Sequence, residues 1–137
     1  MTQQLRPQLD WMLKGLVDGV PGTRNVVVLT ADGLRMAQYA TDEDTADRLA
    51  AASAGLQSLA GAVAGEFPGA DRRIRLVVIE AGGGFYYLMA AGDGAYLAVL
   101  AEQDVDPGLI GRRMRDLVAR IGEHLSALPR AEGLVAG

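Results

Sequence analysis

Apolar residues recur every three or four positions in three separated stretches of this chain, and alternate or run together in five short ones. The longest periodic stretch, Thr41 to Phe67, predicts the helix around which the rest is organised. Thr41 followed by Asp44 has the form of a capping box. Asp42, Glu43, Asp44 and Asp47 place negative charge at the positive end of the helix dipole. Pro68-Gly69 is the stop signal. Leu49, Ser53, Leu56, Ala60, Val63 and Phe67 fall on one face, expected to cover a sheet. A second row, Ala52, Gly55, Leu59 and Ala62, lies beside it, and 12 of the 16 residues from Ala50 to Gly65 are Ala, Gly or Ser. Small residues let a neighbouring helix approach closely. The bland reading packs this row on the chain's own sheet. Because the first face already serves the sheet, the second row reads as a seam for a partner helix.

The flanking pattern supplies the other elements. A first helix is expected to start near Arg6-Pro7, since Pro fits the first helical position, and to carry the stripe Leu9, Met12, Leu13, Leu16 and Val17, with Trp11 nearby. Val20-Pro21-Gly22 closes it. Asn25 to Thr30 and Leu34 to Tyr39 read as two strands joined by Ala31-Asp32-Gly33, a strong hairpin signal. After the long helix, Arg73 to Glu80, Phe85 to Ala91 and Ala95 to Ala101 form a meander with glycine turns at 82–84 and 92–94. The first of these strands is apolar on both faces from Leu76 onward, so it is expected to be covered on both sides. Arg73 and Arg75 alternate on one side of it, as suits a covered edge or a salt-bridged interface. Asp106-Pro107 caps a last helix whose buried stripe is Ile110, Met114, Leu117, Ile121 and Leu125; Pro129 is its expected end. The expected order is α-β-β-α-β-β-β-α: one five-stranded antiparallel sheet with helices on both faces, an α/β (α+β) sandwich. One domain spans residues 1–128, and 129–137 is expected to be a flexible tail.

Composition narrows the function more than the fold. Net charge is −4 and the pI about 4.9, which disfavours a general nucleic-acid binder despite Arg-rich spots at 72–75 and 112–115. Twelve Arg against the single Lys14, with abundant Ala and Gly, fits the codon bias of a GC-rich genome. Cys is absent, which excludes disulfides and thiolate metal sites. No signal-peptide pattern or membrane-length apolar run is visible, so a cytoplasmic location is expected.

Catalytic machinery is thin. With one His, His124, and no Cys, neither a Cys–His pair nor a multi-His metal site can be assembled. His124 lies late in the last helix, where a cationic side chain suits the dipole. Ser53 and Ser58 are mid-helix, Ser126 neighbours His124, and no G-x-S-x-G motif occurs. Gly82 to Gly84 joins strand to strand rather than strand to helix, and no Gly-Lys-Ser/Thr follows, so the chain is not itself a nucleotide hydrolase of the Walker type. The acidic group at 42–47 lacks the spacing of a calcium loop and reads as helix-start electrostatics, as do Asp104 and Asp106. No catalytic, cofactor or metal residue is assigned. Surfaces remain.

The segment Leu9 to Ala37 (LDWMLKGLVDGVPGTRNVVVLTADGLRMA), with Val-Pro-Gly before the first strand and Ala-Asp-Gly in the hairpin, resembles the roadblock / dynein light chain family, and more narrowly its actinobacterial members. The Ala/Gly-rich second helix and the meander Gly84 to Ala101 (GFYYLMAAGDGAYLAVLA) match that pattern as well. The resemblance runs from about Leu9 to Leu125. It implies a roadblock, profilin-like sandwich with the first and last helices on one face and the long helix on the other. It also implies dimers in which second helices pack together and third strands, at sheet edges, join into one sheet. Here the implied interface is Ala52, Gly55, Leu59, Ala62, Arg73, Ile74, Arg75 and Leu76. The implied role is a non-enzymatic homodimeric module that binds and modulates a small Ras-like GTPase in bacterial signalling, as activating or partner protein. A sensor-kinase-like protein is a further implied partner; any membrane association would be indirect. The alternative is a PAS/GAF-like small-molecule sensing or scaffold domain, which needs an apolar cavity with convergent polar groups. Few polar residues in the strands and an Ala-rich helix speak against it.

Overall fold

The computed structural model describes residues 2–69, 73–92 and 94–127, with side chains described from residue 7 onward. The expected tail at 129–137 and the expected stop at Pro129 lie outside the described residues. Three helices and five strands follow the expected order: α1 (Thr2–Gly19), β1 (Thr23–Thr30), β2 (Arg35–Tyr39), α2 (Glu43–Ala64), β3 (Leu76–Ala81), β4 (Gly84–Ala90), β5 (Ala95–Ala101) and α3 (Pro107–Ser126). The strands form one antiparallel sheet in the order β2-β1-β5-β4-β3. The hairpin and the meander thus meet where β1 pairs with β5, leaving β2 and β3 as the edges.

Strand alternation divides the core in two. Val26, Val28, Leu97 and Val99 face α1 and α3, whose stripes Leu9, Leu13 and Leu16 and Ile110, Met114, Leu117 and Ile121 are buried there. Val27, Leu29, Leu88 and Ala98 point the other way, onto Ala46 and Ala50 of α2. The β1–β2 turn uses Gly33 at φ 91°, a left-handed conformation that glycine adopts without strain. Asp106 caps α3, its Oδ1 accepting from the Leu109 amide at 3.1 Å, with Pro107 in the first turn.

Three expectations are corrected. Helix α1 runs back to Thr2, with Pro7 inside it. Pro7 removes one intrahelical donor near the helix start, a local cost that the buried stripe beyond it outweighs. The α2 cap is Asp42, one residue after Thr41: Asp42 Oδ1 accepts from the Thr45 amide at 2.7 Å, and this bond holds its carboxyl below the usual range. The third correction concerns β3. It begins at Leu76, not Arg73, and it is not covered on both sides; Val78 is 50% exposed. An edge strand that no helix overlies keeps its apolar side chains in water.

Candidate functional site

The most distinctive surface is apolar, and two elements build it. On α2 the sheet-facing line is Ala46, Ala50 and Ser53, fully buried, extended by the partly buried Leu49, Leu56, Ala60 and Ala64. Small residues lie at its centre because the helix rides close to the strands. Val63 and Phe67, expected on this face, are not on it. The line rotates past Val63 to Ala64, where the helix ends, and Phe67 lies beyond that end at 65% exposure. The second row points away from the sheet: Ala52, Gly55, Leu59 and Ala62 are all exposed, Leu59 at 69%. A side chain built at Gly55 would meet nothing within 4 Å. Single exposed leucines are ordinary. A helix presenting Leu59 and Val63 one turn apart, with Phe67 just past its end, is not.

Edge strand β3 carries the other half. Leu76, Val78 and Ile79 are exposed, and one side of the strand has no hydrogen-bonded neighbour strand among the described residues. Arg73 and Arg75 are exposed just before the strand rather than alternating within it. Ile74 turns inward and is buried in the core beneath α2, so it is part of the protomer's own packing.

Two polar features that tie α2 to the sheet were not legible in the chain. Ser53, on the apolar stripe, is fully buried and shares a 2.5 Å hydrogen bond with the Tyr86 hydroxyl on β4. Burial pushes the Tyr86 hydroxyl up from its ordinary pKa, and the bond to Ser53 works against that shift. The only signal was a Ser at a stripe position and a Tyr in a core strand, 33 residues apart. The second is Arg35 on β2, whose Nε donates to Asp47 at 2.8 Å and whose guanidinium lies 3.8 Å from Glu43. That bond to Asp47 raises the Arg35 pKa further. Much of the acidic cluster at 42–47 is therefore engaged: Asp42 as cap, Glu43 and Asp47 holding α2 to the hairpin. No group of His, Cys, Asp and Glu able to hold a metal occurs among the described residues. His124 is partly buried, with Nε2 lacking a hydrogen-bond partner. No helix among the described residues is long and apolar enough to cross a membrane.

A sheet with α1 and α3 on one face, α2 on the other and a bare third strand has close counterparts. The Roadblock/LC7 domain pattern matches residues 9–101. A crystal structure of a Roadblock/LC7 domain from Streptomyces avermitilis superimposes with a TM-score of 0.81 at 37% identity, covering 86% of this chain and 98% of that one. A second S. avermitilis Roadblock/LC7 structure is 39% identical, with a TM-score of 0.68 and coverage of 82% and 97%. The gliding protein MglB of Thermus thermophilus shares the fold at 16% identity, with a TM-score of 0.80 and coverage of 90% and 93%. No curated protein matches the chain. The matched residues span the hairpin, α2 and the whole meander, including the two elements that build the open apolar surface, and with actinobacterial relatives covered almost end to end the chain belongs to the Roadblock/LC7 family.

Proposed function

We propose that this chain is a homodimeric regulatory module that binds a small Ras-like GTPase and biases its switch loops toward one nucleotide state. The observation that carries this reading is the open apolar surface on α2 and β3: Leu59, Val63, Phe67, Leu76 and Val78 remain in water in a single chain otherwise packed around two cores. A second copy across α2 would bury the Leu59 row in a small-residue seam, and pairing along β3 would remove an exposed edge. The GTPase half of the proposal rests on the family resemblance, and a partner acts by differential contact with its two states.

The test is affinity capture from native lysate on the purified protein, once with GDP and once with a non-hydrolysable GTP analogue. A Ras-like GTPase recovered with one nucleotide only, and direct binding of the purified pair, are the expected results. Recovery with both nucleotides makes the chain an anchor rather than a regulator. No GTPase in either sample, from a folded bait, rejects the reading.

A further inference from the structure

The face opposite α2 holds a second surface, outside the proposed dimer contacts. Helices α1 and α3 run antiparallel there, because Trp11 lies beside Arg120 while Gly19 lies beside Arg113. Between them is a cleft of about 270 Å³ floored by Met12, Leu16 and Leu117, and it adjoins a cavity of about 350 Å³ under Trp11. Gly15 leaves the middle open: a Cβ there would meet no atom within 4 Å. Trp11 is 69% exposed at one end.

Each end of the cleft carries an arginine. The Arg120 guanidinium lies 5.9 Å from the centre of the Trp11 ring, and Arg113 reaches across α1 to within 2.7 Å of where a Gly19 Cβ would stand. Arg112 and Arg115 are exposed on the same helix. The ion pairs formed among the described side chains of α1, β2, α2 and α3 are Lys14–Asp18, Arg35–Glu43 and Arg35–Asp47, so none of these four α3 arginines has a carboxylate partner. With four arginines against Asp116 and Glu123, α3 is net positive in a chain of net charge −4.

We infer that the α1/α3 cleft binds an extended acidic peptide segment of a partner protein. Arg113 and Arg120 are seven residues apart on α3, so their points of attachment stand about 10–11 Å apart along the cleft at a rise of about 1.5 Å per residue. Three or four residues of extended chain, at about 3.3–3.6 Å each, cover that distance. The segment therefore carries two carboxylates three or four residues apart, one for each arginine. The two or three residues between them are small or apolar, over Gly15 and the floor. Asp116 lines the cleft between Arg113 and Arg120 and disfavours a third acid in the middle. A membrane surface fits less well: the site is concave and a single aromatic is exposed there. Because α2 packs on the other face of the sheet, a dimer through α2 and β3 would display two such clefts. A partner with two acidic segments then gains avidity.

Trp11 is the chain's one tryptophan, so its fluorescence reports on this cleft alone. The probe is a phage-displayed library of random dodecapeptides, selected on the full-length protein at low salt. Enriched peptides are resynthesised and titrated against Trp11 emission. Expected are peptides with two Asp or Glu three or four apart, saturable Trp11 quenching that weakens as salt rises, and at least about tenfold weaker binding for each arginine removed. Arg113→Gln and Arg120→Gln, singly and together, are exposed changes that leave the circular dichroism and melting unaltered. Selection without acidic enrichment, or acidic peptides that bind the double variant as well as the parent, overturns the inference. So does quenching by vesicles of 30% phosphatidylserine with no peptide enriched, which reassigns the cleft to a lipid surface.

Discussion

Leu59→Arg separates a partner-facing row on α2 from a core-facing one. Fully burying a leucine stabilises by about 1.5–3 kcal/mol, and Leu59 is 69% exposed in the single chain, so about two-thirds of that is available to a partner, roughly 1–2 kcal/mol. In an isologous interface the substitution occurs in both copies, which doubles the loss to about 2–4 kcal/mol. At about 1.4 kcal/mol per factor of ten, the dimer dissociation constant rises roughly 30- to 1,000-fold, more if the guanidinium is trapped unpaired in the seam. The protomer loses little. Arg and Leu have similar helix propensities, and an exposed position away from caps and cores shifts stability by about 0.5 kcal/mol at most. Sedimentation velocity over a concentration series reads the first quantity. Urea unfolding of both proteins below the dissociation constant reads the second, free of the stability that dimerisation adds. An unchanged dissociation constant would refute the seam. A variant that unfolds as a monomer would refute the placement of Leu59 on the outer face.

Three further outcomes follow from the interior. Ser53→Ala leaves the buried Tyr86 hydroxyl without its partner and costs about 1–3 kcal/mol in urea unfolding, whereas Ser53→Ala with Tyr86→Phe recovers much of that loss; additive losses would mean the bond contributes nothing. Burial raises the pKa of Tyr86 and of Tyr87, so above about pH 10 the unfolded chain releases these protons first. The stability they contribute is fully present below about pH 10 and falls as pH rises toward the folded-state values; the urea midpoint should decline there, and less so in a Tyr86→Phe/Tyr87→Phe variant. Gly84, at φ 149°, has its Cβ position 2.1 Å from the Ala101 carbonyl oxygen, so Gly84→Ala forces β4 from β5 and lowers stability by about 3 kcal/mol or more; a melting temperature within a degree of the parent would contradict that contact.

Much of this molecule was decided by local rules. Leu9, Leu13 and Leu16, and Ile110, Met114, Leu117 and Ile121, recur at helical spacing because each helix must bury one stripe, so both stripes were legible in the chain. Asp-Gly, the glycines at 82–84 and Asp106-Pro107 act over two or three residues, and the turns and the α3 cap fell where they stand. Tertiary structure decided what depends on a second element. Periodicity describes two apolar faces on α2 but not the angle at which the helix meets the sheet, so Val63 was assigned inward when Ala64 holds that place. An apolar strand reads alike at the centre or the edge of a sheet, so β3 was expected to be covered, and only the order β2-β1-β5-β4-β3 left it bare. Ser53 with Tyr86, Arg35 with Asp47, and Trp11 with Arg120 are pairs of residues distant in the chain. Each needs two elements fixed in space before it exists. The exposed row on α2 and the arginine-bounded cleft between α1 and α3 share that origin: helix spacing sets which residues share a face, and packing sets which faces remain open.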